Sequence, residues 1–168
     1  RYFRVYIKDN IGQLPYQAQG DEKLFRSLNP VDRSIYDIDL FTSKTEKFKN
    51  QLSDYYKKNL MLIPFEQFVL NPYNFIEKIN SLLETSSSKF TNKILRKQKV
   101  PRKKISDGIP LKIYKRFGWE PGDKSLNEKE ELIKRRKYIV KAGVTERYLN
   151  ILDKLSSEYE KKYLNGII

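Results

Sequence analysis

The side chains with the clearest potential for chemistry are cations that crowd one segment of the chain. Between Ser86 and Gly118 there are eleven Lys or Arg residues and one acidic residue, Asp107, so this segment carries +10 of the net charge of +13. Charge concentrated in this way indicates an anionic partner: a nucleotide phosphate, a nucleic acid or a polyanionic sugar. Composition alone is equally compatible with a solvated basic loop that binds nothing.

Two residue types that commonly perform catalysis or bind metals are missing. The chain has no Cys, which excludes disulfides, thiolate metal sites and cysteine nucleophiles, and it has no His, the commonest general base. Any catalysis would use Glu, Asp, Lys, Ser or Tyr, and we expect no metal cofactor. The absence of Cys is compatible with a reducing compartment, and we expect a cytoplasmic protein.

Length and composition indicate one soluble globular domain. The 168 residues suffice for a sizeable core, and 39% hydrophobic with 33% charged residues are ordinary proportions for such a protein. No apolar run approaches the ~18 residues that span a bilayer, and the start has no signal-peptide pattern. The chain begins at Arg1, inside an aromatic run typical of a strand, so we expect a fragment of a longer protein.

The elements that would position the basic segment precede it. Thr42–Asn59 has a stripe of apolar residues at helical spacing, which predicts an amphipathic helix facing the core. Leu60–Ile63 has the length of a buried strand, and Pro64 ends it because proline cannot donate to the ladder. Asn71-Pro72 then provides a cap and a first helical residue for an amphipathic helix that reaches Leu83.

The order of these features resembles the late core of the sulfotransferases that use PAPS (3′-phosphoadenylyl sulfate). The resemblance covers roughly Ser34 to Leu83. It consists of a tyrosine-rich helix, an apolar strand, a Phe-Glu pair, an Asn-Pro pair and a helix that ends in Leu-Leu. Here those features are Tyr55, Tyr56, Asn59, Leu60–Ile63, Phe65, Glu66, Asn71, Pro72, Leu82 and Leu83.

This resemblance implies a fold class. We expect an incomplete α/β fold of the P-loop NTPase-like sulfotransferase type, mostly helical, with a few short strands of a parallel sheet. The chain would be a single domain, the C-terminal portion of a sulfotransferase-like domain. Its parts would be an irregular lead-in at 1–41, a helix–strand–helix core at 42–84, a basic loop region at 85–123 and C-terminal helices at 124–168.

The resemblance also implies a function. The enzyme would transfer a sulfuryl group from PAPS, its nucleotide co-substrate, to a hydroxyl or amine of a carbohydrate or similar acceptor. A basic loop would bind the 3′-phosphate of the nucleotide, since arginine binds phosphate bidentately and lysine binds it as a point charge. The residues assigned to this role are Arg102, Lys103, Lys104 and Gly108, with Lys97 and Lys99 in reserve. In the family, the phosphosulfate loop and the base lie N-terminal to all of these elements, so the catalytic residues are expected upstream of Arg1.

One upstream motif and one core residue need a separate interpretation. Asn29-Pro30 and Arg33 match part of the family's 3′-phosphate motif, but Leu28 and Tyr36 depart from it. We therefore interpret Asn29-Pro30 as the start of a helix. Glu66 is interpreted as a structural carboxylate at the end of a strand, not as a catalytic group.

Two other functions stay open. A nucleic-acid-binding module would use the basic segment together with Phe90, Tyr114 and Phe117 as stacking residues. No helix-turn-helix, RNP, zinc or KH pattern accompanies them. The other alternative is a noncatalytic helical scaffold.

At the end of the chain, Asn127–Ala142 and the residues after Thr145 are predicted to be helices.

Overall fold

The chain is described by a computed structural model that covers residues 5–108, 123 and 125–164, most of which are helical. The prediction of a mostly helical protein is confirmed. The chain groups into two compact units. The first comprises Arg1–Asn50 with Tyr138–Leu155, and the second comprises Gln51–Lys137 with Ser156–Ile168. Among the described residues, no helix is both long enough and apolar enough to cross a membrane.

The described residues form two strands, eight α-helices and three short helical turns. The strands are β1 (Tyr6–Asp9) and β2 (Gly12–Pro15). The α-helices are α1 (Glu22–Ser27), α2 (Pro30–Gln51), α3 (Asp54–Lys58), α4 (Phe65–Leu70), α5 (Pro72–Leu82), α6 (Lys89–Lys97), α7 (Glu128–Lys141) and α8 (Glu146–Tyr159). Two 3-10 turns lie at Tyr16–Ala18 and Ile105–Asp107, and a π-helical turn at Glu160–Leu164 follows α8. The two helices predicted near the end of the chain are confirmed as α7 and α8.

The sheet formed by the described residues is an antiparallel hairpin, so the predicted parallel sheet is wrong for this part of the chain. Asp9 pairs with Gly12, which leaves a two-residue turn at Asn10-Ile11. The Asp9 carboxylate accepts hydrogen bonds from the backbone N–H groups of Ile11 at 2.9 Å and Gly12 at 3.0 Å. A turn this short joins antiparallel strands only, because parallel strands need a crossover connection of about a dozen residues.

The first unit has a small core between the hairpin and the helices that follow it. Leu14, Ala18 and Phe25 are buried together, and Ile7 and Tyr36 pack against them. The rings of Phe25 and Tyr36 meet edge to face with their centroids 5.9 Å apart, a favourable geometry for aromatic pairs. The segment 1–41, which was expected to be irregular, therefore contains the hairpin, α1 and the beginning of α2.

The Asn-Pro pair begins α2, as the sequence predicts. Asn29 Oδ1 accepts hydrogen bonds from the backbone N–H groups of Val31 and Asp32, each at 2.9 Å. Pro30 occupies the first helical position, where a missing N–H has no cost. Two of the N–H groups that lack helical partners are thus satisfied by one side chain.

The predicted helix at Thr42–Asn59 is divided between two helices. α2 continues to Gln51, and Ser53 in an extended conformation separates it from α3. The aromatic residues predicted to face the core are exposed, namely Phe48, Tyr55 and Tyr56. A helical stripe of apolar residues fixes which side chains share a face, but burial requires a second element over that face.

The predicted strand at Leu60–Ile63 is wrong, because these residues belong to neither a strand nor a helix. A strand needs a hydrogen-bonded neighbour, and the one sheet in the described residues is the hairpin near the start of the chain. Leu60, Leu62 and Ile63 are exposed. Pro64 is then the N-cap residue of α4, with φ −63° and ψ 126°, so the chain enters a helix there.

The core of the second unit joins α4, α5 and α6. Its buried residues are Val69, Leu95 and Val100, with Phe68, Leu70 and Ile76 packed against them. In addition, the backbone N–H of Arg102 donates to the carbonyl of Val69 at 2.7 Å. This core therefore places the loop that follows α6 directly on α4.

Candidate functional site

The basic segment begins on α6, whose first residues are capped. Ser88 Oγ accepts a hydrogen bond from the backbone N–H of Phe90 at 3.2 Å. Thr91 Oγ1 accepts one from the backbone N–H of Ser88, also at 3.2 Å. This reciprocal arrangement satisfies N–H groups that have no helical partner. The start of α6 is thus set by its own sequence.

The last residues of α6 form a Schellman motif. The backbone N–H of Val100 donates to the carbonyl of Leu95 at 2.9 Å, and that of Lys99 donates to the carbonyl of Arg96 at 3.0 Å. Lys99 has a φ of +52°, the left-handed conformation that this motif requires and that usually selects glycine. The helix therefore ends at a defined point, and the chain turns back toward α4.

Arg102 is held by its own loop and by α4. Its Cζ lies 5.4 Å from the centroid of the Phe65 ring, and its Nη1 donates to the carbonyl of Ile105 at 2.9 Å. Its Nε is enclosed and has no hydrogen-bond partner within the described part of the chain. The guanidinium is therefore fixed in position, although not all of its N–H groups form hydrogen bonds within the described part of the chain.

Gly108 is packed against that guanidinium. A Cβ atom added to Gly108 would lie 2.8 Å from Arg102 Nη1 and 2.9 Å from Arg102 Cζ, so any side chain would displace the guanidinium. The φ of Gly108 is −62°, which every residue adopts, so a side chain here would be opposed by its close approach to the end of the Arg102 side chain and not by backbone strain. The structure brings together two of the four residues that the resemblance assigns to the 3′-phosphate.

Lys103 and Lys104 lie in the same loop, just before the 3-10 turn. The backbone N–H of Lys104 donates to the Asp107 carboxylate at 2.9 Å, and the Asp107 N–H donates to the Lys104 carbonyl at 3.1 Å. Asp107, the one acidic residue of the segment, thus has a structural bond to the backbone. Lys104 is half-buried, whereas Lys103 is exposed.

The basic surface formed by α6 and this loop is not neutralised. From Lys89 to Gly108 there are eight Lys or Arg residues and only Asp107 to oppose them. No carboxylate of a described residue forms an ion pair with any of the eight. Lys97 and Lys99, the reserve residues, are both exposed. Part of this charge complements the C-terminal end of the α6 dipole, and the rest favours binding of an anion.

The remaining residues of the basic segment lie outside the described residues. They include Lys112, Lys115 and Arg116, and also Tyr114 and Phe117, the proposed stacking residues. Phe90 is the stacking candidate that the structure describes, and it is exposed.

Arg33, the partial match to the upstream phosphate motif, has a structural role. Its Nε donates to the carbonyl of Phe25 at 2.9 Å and its Nη2 donates to that of Arg26 at 3.0 Å. Its Cζ lies 5.3 Å from the centroid of the Phe25 ring. These carbonyls lie at the end of α1, where helical partners are lacking. The interpretation of this motif as a helix start is confirmed.

Asp32 is a buried carboxylate that sequence analysis did not single out. It is 1% exposed, and its oxygens accept hydrogen bonds from Asn29 Nδ2 at 2.9 Å and from the backbone N–H of Thr145 at 3.0 Å. Asn29 Nδ2 also donates to the carbonyl of Gly143 at 3.1 Å. The three-residue spacing of Asn29 and Asp32 is a local signal of helix capping. The bond to Thr145 spans 113 residues, and no local pattern predicts it.

Glu66 lies in the first turn of α4, not at the end of a strand, and is bonded to the C-terminal helix. Tyr159 Oη donates to Glu66 Oε2 at 2.6 Å, and the side-chain amide of Gln67 donates to the carbonyl of Tyr163. Burial raises the pKa of Tyr159, and the hydrogen bond to Glu66 raises it further. These contacts join α4 to the end of the chain within the second unit.

Asp9 and Tyr36 are among the ionisable side chains of the first unit that have shifted pKa values. The hydrogen bond from Arg26 at 2.7 Å lowers the pKa of Asp9, with the backbone N–H of Ile11 as the next cause. Burial raises the pKa of Tyr36 to about 12, and its hydrogen bond to Asp21 at 2.8 Å contributes to the rise. Tyr36 is therefore a neutral hydrogen-bond donor at neutral pH.

Comparison with known proteins adds no assignment to this geometry. In residues 5–108, 123 and 125–164, no cluster of acidic side chains could hold a metal ion. No protein-family model matches the chain, and neither a curated protein nor a solved structure matches it.

Proposed function

We propose that this chain is part of a PAPS-dependent sulfotransferase and that its loop at Arg102–Gly108 binds the 3′-phosphate of the nucleotide. The observation that supports this proposal is the packing of Arg102 against Gly108 in a basic loop fixed to α4. α4 contains the Phe65-Glu66 pair of the resemblance. Arg102 and Gly108, two of the residues that the resemblance assigns to the 3′-phosphate, are therefore neighbours in this loop.

The reaction would be sulfuryl transfer to a hydroxyl or amine of a carbohydrate or similar acceptor. The acceptor oxygen or nitrogen attacks sulfur, the bond from sulfur to the nucleotide phosphate oxygen breaks, and a base takes the acceptor's proton. The proposal includes a P-loop NTPase-like fold with a loop for the 5′-phosphosulfate, and the described residues contain neither that loop nor an assigned base. Because the 3′-phosphate is remote from the sulfur, the basic loop would contribute to binding of the nucleotide.

The available donors suit a phosphate group. The Arg102 guanidinium is held in place by Phe65 and Ile105, so binding would cost little side-chain entropy. The exposed Lys103 adds a second, mobile cation. Hydrogen bonds between such groups and phosphate are among the stronger ones in proteins, about 1.5–3 kcal/mol each.

Calorimetric titration with 3′,5′-adenosine bisphosphate and with 5′-AMP tests the proposal, because the two ligands differ by the 3′-phosphate. The bisphosphate should bind at least about tenfold more tightly than AMP. The Lys103→Ala variant should lose most of that difference while its affinity for AMP stays the same. Lys103 is exposed, so this substitution should leave the fold intact.

Lys23→Ala is the matched control, since Lys23 is also an exposed lysine on the protein surface. It removes the same charge and should not change either affinity. The proposal fails if the two ligands bind equally or if both variants have the same effect. Salt-sensitive binding of a single-stranded oligonucleotide, with no preference for the bisphosphate, would instead support a nucleic-acid-binding module.

A further inference from the structure

α6 presents a solvent-facing surface that is both apolar and cationic. Phe90 and Ile94 are 58% and 60% exposed and lie four residues apart, so they occupy one side of the helix. Lys89, Lys93 and Lys97 recur at the same spacing on the adjoining stripe, and all three are exposed. We call these five residues the α6 outer face.

The α6 outer face cannot be buried by a rotation of the helix. Leu95, on the other side of α6, is 8% exposed and packs in the core with Val69 and Val100. Both ends of the helix are also fixed by the capping bonds of Ser88 and Lys99. Phe90 and Ile94 are therefore held in solvent by a helix that is capped at both ends and packed through Leu95.

The charge of this face restricts the type of partner. α6 has no acidic residue; the nearest ones in the sequence are Glu84, five residues before it, and Asp107, ten residues after it, whose carboxylate is bonded to the Lys104 backbone. The partner must therefore be anionic. It must also receive two large apolar side chains, one of which, Ile94, has no aromatic face for stacking on a base. An anionic lipid surface satisfies both requirements, since acyl chains receive the apolar groups and headgroups receive the ammonium groups.

We propose that the α6 outer face binds the surface of membranes that contain anionic lipids. Phe90 and Ile94 insert at the boundary of headgroups and acyl chains, and the three lysines extend their apolar stems along it with their ammonium groups at the headgroups. With nine residues, α6 is about 13 Å long and lies in the plane of the surface. The proposed nucleotide site uses the loop after α6, and of the five residues of the α6 outer face Lys97 alone is also a reserve residue for it.

Co-sedimentation of the full chain with vesicles tests this proposal. Vesicles of phosphatidylcholine with about 30% phosphatidylserine should bind the protein, vesicles of phosphatidylcholine alone should not, and about 0.5 M salt should release it. The double variant Phe90→Ser/Ile94→Ser should reduce the partition coefficient about tenfold or more. The double variant Lys89→Gln/Lys93→Gln should reduce it about fivefold for each lysine.

Matched controls are available elsewhere on the surface. The variant Ile133→Ser/Val140→Ser removes two exposed apolar residues from α7, and Lys57→Gln/Lys58→Gln removes two exposed cations from α3. Both should bind the vesicles within about twofold of the unmodified chain.

Three results would overturn the proposal. One is equal binding to the two kinds of vesicle, and another is an equal loss in the control variants. The third is normal vesicle binding by Phe90→Ser/Ile94→Ser combined with loss of single-stranded oligonucleotide binding, which would assign the face to nucleic acid. Circular dichroism of each variant checks that the helical content of the chain is retained. Bisphosphate affinity should be unchanged in Phe90→Ser/Ile94→Ser, which separates this proposal from the nucleotide site.

Discussion

Arg33 and Arg102 are held in similar ways in the two units, but they differ in what their guanidinium groups have left to bind. Each lies over a phenylalanine ring, at 5.3 Å and 5.4 Å from the centroid. Arg33 donates to two carbonyls at the end of α1, through Nε and Nη2. Arg102 donates through Nη1 to one carbonyl, and its Nε is unpaired in the described part of the chain. We expect an arginine to bind phosphate only where the fold leaves some of its guanidinium N–H groups without a hydrogen-bond partner.

The same difference separates the surroundings of the two arginines. Near Arg33, the side chains of Asn29 and Asp32 are bonded to helix ends, and Asp32 is fully buried. Near Arg102, the carboxylates of Asp107 and Glu128 accept hydrogen bonds from the backbone N–H groups of Lys104 and Ile105 and form no ion pair with the cations of the loop among the described residues. The first arrangement, which we call the α2-start network, has the properties of a stabilising structure. The second has the properties of a binding surface. We therefore expect substitutions in the α2-start network to lower stability, and substitutions near Arg102 to lower the affinity for the bisphosphate.

The largest effect is expected for Asp32→Ala in the α2-start network. The substitution leaves the Thr145 N–H without its acceptor and Asn29 Nδ2 with the Gly143 carbonyl alone, so the free energy of unfolding should fall by about 3 kcal/mol. Urea denaturation followed by circular dichroism measures this loss. Asp54→Ala, which removes an exposed aspartate from the first turn of α3, should cost at most about 0.5 kcal/mol. Equal losses in the two variants would show that the Asp32 bonds contribute little.

The next effect compares the two arginines directly. Arg33→Lys should reduce the free energy of unfolding by about 1–2 kcal/mol, because one ammonium cannot replace a guanidinium that bonds to two carbonyls. It should not change the affinity for 3′,5′-adenosine bisphosphate. Arg102→Lys should cost about 1 kcal/mol or less in stability and lower that affinity about tenfold. Each variant is the control for the other, and a similar loss of affinity in both would contradict the comparison.

The sequence predicts helix starts well, because the capping chemistry is local. The start of α2 follows from the Asn29 side-chain acceptor and Pro30, and that of α5 from Pro72 at its first position, although the predicted cap, Asn71, makes no side-chain hydrogen bond there. Local residues could not show whether Leu60–Ile63 forms a strand, since a strand depends on a hydrogen-bonded neighbour that is often distant in the sequence. The Asp32–Thr145 bond is unpredictable for the same reason. The candidate loop could be located from its charge, whereas the contact of Arg102 with Gly108 required the structure.

A smaller effect, of opposite sign, is expected at two helix ends. Lys99 and Glu84 both have a φ of +52° in Schellman motifs, where a glycine avoids the steric strain of a side chain. Lys99→Gly and Glu84→Gly should each raise the free energy of unfolding by about 0.5–1 kcal/mol, as measured with urea. Lys99→Gly also removes a cation beside the candidate site, so it alone should weaken bisphosphate binding, by about threefold or less. Equal binding changes in the two variants would show that the affinity depends on stability and not on charge.

The smallest effect concerns Asp9, which joins the hairpin to Arg26 of α1 at 2.7 Å. Since its pKa is lowered in the folded chain, its carboxylate form stabilises the fold above the ordinary Asp pKa of about 3.9, and this stabilisation is lost as the pH falls through the lowered pKa. Asp9→Asn keeps an acceptor for the turn, so its stability should depend less steeply on pH below about 4. Urea midpoints measured across this range test the difference. When Arg26 is replaced by glutamine, the dependence of stability on pH should become similar for chains with Asp and with Asn at position 9. The reason is that the hydrogen bond from Arg26 is the main cause of the lowered pKa of Asp9. If the two dependences do not converge, the N–H groups of the turn, and not Arg26, are the main cause of the lowered pKa of Asp9.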